Sequence, residues 1–216
     1  MKTWGALKAE VGRIVNDPQL TKFSDIMLAG VNDALRMLAS VHTGVASVSV
    51  MVSDGGSASF PLPSNSVEDD KGARVRGVYD VSAARWLMES NTVPGGVMED
   101  GWFVWPDKSL RIQPKPRTDA EFHLYYVAYY AEIVNDDDVI EVPPWAYEAI
   151  KLYTAGTVLE APTAQLTLLA NFRTKVDSGN PEHNPMLQLA KYYKERFWEI
   201  LNLHPTPQLD KIVVSW

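Results

Sequence analysis

The sequence predicts an α+β protein: a helical bundle formed by the N- and C-terminal helices, an inserted antiparallel β-rich subdomain, and an extended C-terminal tail. Three observations predict it. Apolar residues recur at helical spacing near both ends of the chain. The middle, about residues 45–130, alternates with a period of two and is broken by Gly, Pro and Asp. The last residues follow a Pro-rich hinge and are apolar. The expected boundaries are 1–44 with 133–203 for the helical core, 45–132 for the β-rich insertion, and 204–216 for the tail.

The elements follow in order. Trp4, Leu7, Val11 and Ile14 form the first helical stripe, which ends before Pro18. Ser24 is an N-cap candidate for a second helix striped by Leu28, Val31, Leu35 and Leu38. Val45–Val52, which alternates serine with valine at Ser47 and Ser49, reads as a strand. The turn signal Ser53–Gly56 then suggests a hairpin returning through "SASFPLP". Residues 64–74 form a polar loop, Val75–Val81 a strand, and Ser82–Ser90 a short helix. Asp100–Pro114 reads as a second hairpin turning at Pro106–Ser109. Glu121–Tyr130 is an aromatic strand with Phe122, Leu124, Tyr126, Ala128 and Tyr130 on one face. Pro144 suits the first turn of a helix carrying Ile150, Tyr153, Thr157 and Val158. Another helix is expected over Thr163–Val176. Asn184 and Pro185 open the last one, striped by Met186, Leu189, Tyr193, Phe197 and Ile200. No internal repeat is found.

Composition narrows the function. A chain of 216 residues buries roughly 70% of its unfolded surface and needs no staples. The absence of cysteine removes disulfides, thiolate nucleophiles and cysteine metal sites. It suits folding in a reducing cytoplasm. The charged N-terminal pattern is not that of a signal peptide, and no apolar run is long enough to span a membrane. The net charge of −7, with scattered basic residues, argues against tight nucleic-acid binding.

Candidate chemistry is sparse. Asp136, Asp137 and Asp138 could in principle share a proton or hold a hard cation. No calcium-loop spacing follows them, so a solvated turn is expected. His42, His123, His183 and His204 are far apart and fit no metal motif. No nucleophile elbow or phosphate loop occurs. A glycosidase needs only two placed carboxylates, for which Glu68, Asp69, Asp70, Glu99 and Asp100 are the loop candidates. The aromatics of the β-block, Trp102, Trp105 and Tyr129 among them, suit core and subunit-interface packing; stacking of a glycan or single strand is the other reading. The segment Leu209–Trp216 suits strand addition to another chain, with Ile212, Val214 and Trp216 as alternating anchors, or docking onto its own β-block.

Three stretches together resemble the head–tail adaptor (connector) proteins of tailed bacteriophages: Phe103–Pro116, Phe122–Glu132 and Asp136–Leu159. In that family an aromatic hairpin with a Pro-rich exit, a tyrosine-rich strand, an acidic turn and a "P-x-W" helix start recur in this order. The resemblance implies a virion neck protein, assembled in the host cytoplasm. It would form a ring, commonly of twelve copies, that joins the portal ring to a tail or nozzle protein. An acidic ring would let DNA pass without adhesion. The resemblance implies no catalytic residue, metal or cofactor. It implies portal docking by a C-terminal arm, here Leu209, Ile212, Val213, Val214 and Trp216. Asp136 and Asp138 would then mark a turn or a polar contact between subunits, and Trp102, Trp105 and Tyr129 would join that interface. A cell-wall-degrading glycoside hydrolase and an aromatic-sheet binding module are the alternatives.

Overall fold

The computed structural model describes residues 2–20, 22–42, 44–69, 72–90, 101–105, 107–161 and 184–204. It is mixed helix and antiparallel sheet, the α+β class expected. The expected helix Thr163–Val176 and the tail lie outside the described residues. The described chain falls into two compact units, residues 2–38 with 130–204 and residues 39–129.

The first unit holds helices α1 (Trp4–Ile14), α2 (Ser24–Val41, which runs on into the second unit), α3 (Ala146–Glu160) and α4 (Pro185–Leu203). It also holds a short ladder of strands β1 (Lys2–Thr3) and β11 (Val139–Ile140). Helix α1 forms because Trp4, Leu7 and Val11 fall on one buried face. Its end is tightly folded. Asp17 donates its N–H to the Gly12 carbonyl, and a Cβ on Gly12 would lie 2.7 Å from the Asp17 carbonyl oxygen. Only glycine fits there.

Ser24 is not the cap expected. It is the first helical residue of α2, and the Phe23 carbonyl accepts the Met27 N–H. The buried Asp17 carboxylate takes the capping part, accepting the N–H groups of Lys22 and Phe23 at 3.0 and 3.2 Å. Asn184, by contrast, caps α4 as its sequence predicts, accepting the Met186 N–H at 3.0 Å.

Helix α3 packs against both α2 and α4 through small residues at the crossings. At Gly30 of α2, a Cβ would come within 3.3 Å of Thr154 and Thr157; at Gly156, one would come within 3.1 Å of the Ala190 carbonyl of α4. Small side chains at those crossings let the helix backbones approach closely. Phe197 fills the space beside them, fully buried, with its ring 4.9 Å from that of Tyr153.

The second unit is β-rich. Its larger sheet has the strand order β2 (Val45–Val52), β10 (Glu121–Ala128), β6 (Val75–Asp80), β7 (Arg85–Leu87). A second sheet runs β3 (Ser59–Pro61), β9 (Ser109–Gln113), β8 (Gly101–Val104), and β4 (Glu68–Asp69) pairs with β5 (Gly72–Ala73). Phe122, Leu124 and Tyr126 from the larger sheet meet Phe60, Trp102, Leu110 and Ile112 from the other in one apolar core.

Two local expectations are corrected. The first hairpin does not form. β2 pairs with β10 over its whole length and β3 pairs with β9, so the Ser53–Gly56 turn carries the chain from one sheet to the other. The cause is local: Ser53 exchanges backbone hydrogen bonds with Asp119 and Ala120, while Asp54 accepts the Gly56 and Ser57 N–H groups and turns the chain away. The short helix at Ser82–Ser90 is also absent. Asp80 accepts the Ala83 N–H, Ala84 turns with φ 51°, and Arg85–Leu87 returns along β6. Its three consecutive apolar residues, Trp86, Leu87 and Met88, give a helix no single face.

Phe197→Ala should lower the unfolding free energy by about 3–5 kcal/mol, the usual cost of an emptied aromatic site. Leu203→Ala, at a position 73% exposed, should stay within about 0.5 kcal/mol. Urea denaturation of the two variants measures both.

Candidate interaction surfaces

The acidic turn is built around helix α1. The first N–H groups of that helix lack intrahelical partners. Trp4 donates to the Asp138 carbonyl and Gly5 to the Asp136 carbonyl, both at 2.8 Å, and Ala6 donates to the Thr3 hydroxyl at 3.4 Å. Beside this, Tyr147 of α3 donates to the Ile140 carbonyl and accepts from the Lys2 N–H. The turn is therefore the seat of α1.

Its carboxylates go separate ways. Asp138 accepts the N–H groups of Asn135 and Val134, each at 2.8 Å. Those two donors, Asn135 before Val134, hold its carboxyl below the ordinary value. Asp136 reaches Lys8 at 3.0 Å. Asp137 is exposed. Among the described residues no group of His, Asp and Glu gathers as metal ligands do. Glu68 is paired with Lys108 at 2.8 Å. Asp70, Glu99 and Asp100 lie outside the described residues.

The histidines are equally dispersed. His42 is buried, His123 contacts Glu121 at 3.0 Å, and His204 stacks on Trp145 with centroids 4.4 Å apart. His183 lies outside the described residues. Trp102 is 3% exposed and donates its indole N–H to the Leu87 carbonyl. Its surface is spent inside its own unit, where a subunit contact had been expected of it. Trp105 and Tyr129 are half-buried; the guanidinium of Arg111 covers the Trp105 ring at 4.4 Å. The expected docking residues Leu209, Ile212, Val213, Val214 and Trp216 lie outside the described residues.

The most unusual surface is the outer face of the larger sheet. Strand β2 alternates as predicted, but its polarity is inverted. Val45, Ser47, Ser49 and Met51 pair with Ala128, Tyr126, Leu124 and Phe122 on the core side, so the small serines sit opposite bulky partners. Val48, Val50 and Val52 point outward, 53%, 59% and 59% exposed. Across the sheet the outer row continues from Val50 through His123 and Tyr79 to Trp86. The Trp86 ring lies 5.2 Å from Tyr79 and 4.8 Å from Tyr125. Val81 extends the apolar surface beside Glu121. The face is largely apolar, with the Glu121–His123 pair set among the valines and rings, and a large apolar face on a folded unit marks an interaction site.

Asp138→Ala should lower the melting temperature at neutral pH. The folded carboxyl titrates below its unfolded value of about 3.9, so its contribution is present above that pH and is lost as pH falls through the folded value. The melting temperatures of Asp138→Ala and the parent chain should therefore converge in acid. A calorimetric pH series from 7 to 2 checks this.

The acids of the turn serve its backbone and Lys8, and the valine side chains of β2 are exposed. No curated protein matches the chain. A family model described as SU10 adaptor protein matches residues 2–187, which takes in α1, α2, α3 and the whole β-rich unit. The chain belongs to the SU10 adaptor protein family, a family of phage head–tail adaptors.

Proposed function

We propose that the chain forms a ring in the virion neck, joining the portal ring to a tail or nozzle protein and continuing the DNA channel. The family match over residues 2–187 is the observation that carries this reading. The ring is taken to hold twelve copies and to assemble in the host cytoplasm. DNA passes through it without specific contacts, in keeping with a net charge of −7, because an acidic wall repels phosphate.

The work of such a protein lies in its contacts, so no catalytic residue or cofactor is assigned. Portal docking is given to Leu209, Ile212, Val213, Val214 and Trp216. Their alternation suits addition of an extended segment to a partner, with backbone hydrogen bonds supplying affinity and the apolar side chains supplying specificity. Asp136, Trp105 and Tyr129 retain surface for a neighbouring subunit. Asp138 serves the same side of the turn by fixing its shape.

Co-sedimentation with the portal ring of the same phage tests this. Full-length protein should join the portal ring in stoichiometric amount, and a chain lacking residues 209–216 should not. Equal binding by both forms would remove the tail from the docking role. Binding by neither would remove the portal as the partner.

A further inference from the structure

We infer that the open edge of β2, together with its outward valines, is a contact between neighbouring copies of this chain. The inference rests on the ring reading and names one of the surfaces through which the ring closes.

The edge is unusually bare. Strand β2 lies at the end of its sheet and is paired on one side by β10, in unbroken register from Val45↔Ala128 to Val52↔Glu121. Among the described residues no strand covers its other side. Proteins that must stay apart protect such an edge with lysine, proline, a bulge or a very short strand. Here β2 is 8 residues long. It contains no charge and no proline, and the β2–β10 register carries no bulge. A strand built this way is made to be covered.

Charge argues that the cover is a second copy. Each chain carries a net charge of −7, so two copies repel over most of their surface. They meet at least cost where the surface is neutral. No Asp, Glu, Lys or Arg occurs from Val41 to Ser53, and the outward positions of β2 after Ala46 are all valine. On the neighbouring strand, Glu121 stands opposite Val52 and contacts His123 at 3.0 Å, so the neutral surface is the strand itself. An identical copy brings no charge that must be buried unpaired. Behind the valines, Tyr125, Tyr79 and Trp86 add aromatic surface alongside the Glu121–His123 pair.

The chain contains no cysteine, which makes the test direct. Val50→Cys places a single thiol at the centre of the stripe, and Leu203→Cys places one on α4 as a labelling control. Maleimide labelling is followed over a protein concentration series, with sedimentation velocity on the same samples. As oligomer forms, the thiol at position 50 should become protected by at least about tenfold, while the control stays reactive. Val50→Lys, on an exposed side chain, should keep its circular dichroism and weaken self-association by about tenfold or more, equivalent to about 1.4 kcal/mol. If oligomer forms and position 50 labels as fast as in the monomer, or if Val50→Lys associates like the parent, the β2 contact is wrong and the ring reading stands. A chain that stays monomeric at every concentration and binds portal only as isolated copies overturns both.

Discussion

The first helix is capped only in part by its own Thr3. Its leading N–H groups are answered by carbonyls of Asp136 and Asp138, far along the chain, and the β1–β11 ladder fixes Lys2 opposite Ile140 and Thr3 opposite Val139. Everything between those contacts becomes one large closed loop. Closing a loop costs entropy that grows slowly with its length, so a long insertion is tolerated once the closure is sound. Two further ties secure it. In the helical unit, the Asn32 side chain both donates to the Ile133 carbonyl and accepts the Ile133 N–H, at 2.9 and 2.8 Å. In the β-rich unit, the register Val45↔Ala128 sets the strand that enters beside the strand that leaves. Arg74 adds to this by donating to the Ala39 and Ser40 carbonyls at the end of α2, where a cation also suits the helix dipole.

What could be read from sequence follows from the range of the forces involved. The helices were legible because a 3.6-residue period and a local cap are both written within a few positions; Asn184 with Pro185 is the clear case. The hairpin at Val45–Pro63 misled because its turn residues were right and its strand pairing was not. Turn chemistry is local, whereas β2 pairs with β10, whose strength as a central strand depends on neighbours on both sides. The same limit hid the part played by the acidic turn. Nothing within a few residues of Asp136 announces a helix start at Trp4, and only the fold brings the two together.

Strand β2 shows a subtler limit. Alternation tells that a strand has two faces and does not tell which faces the core. A reader expects valine inside and serine outside. The register inverts this because Leu124 and Tyr126 fill the core opposite Ser49 and Ser47, leaving the valines to the surface. The signal that might have been used was the absence of any charged residue over the whole strand. An exposed strand normally carries one, so an uncharged alternating strand beside a bulky aromatic one implies cover from elsewhere.

The acidity of the chain has a structural origin. Asp17, Asp54, Asp80, Asp107 and Asp138 each accept backbone N–H groups in a turn or at a helix start. Aspartate is favoured there because its short side chain reaches nearby backbone: two or three residues on from Asp54, Asp80 and Asp107, further on from Asp17, and back to Val134 and Asn135 from Asp138. For Asp54 and Asp138 these bonds hold the carboxyl in its charged form, and for Asp107 the Ser109 hydroxyl does so first, helped by the Ser109 N–H. A chain that locks its turns this way accumulates negative charge as a by-product. In the proposed ring that by-product would suit a DNA channel, because turn acids such as Asp54 and Asp107 lie on the surface. In that proposed ring the same charge also restricts where copies can touch. The turns that set the fold thus leave the uncharged strand as the place where association costs least, and that links the acidic composition to the valine-bearing edge.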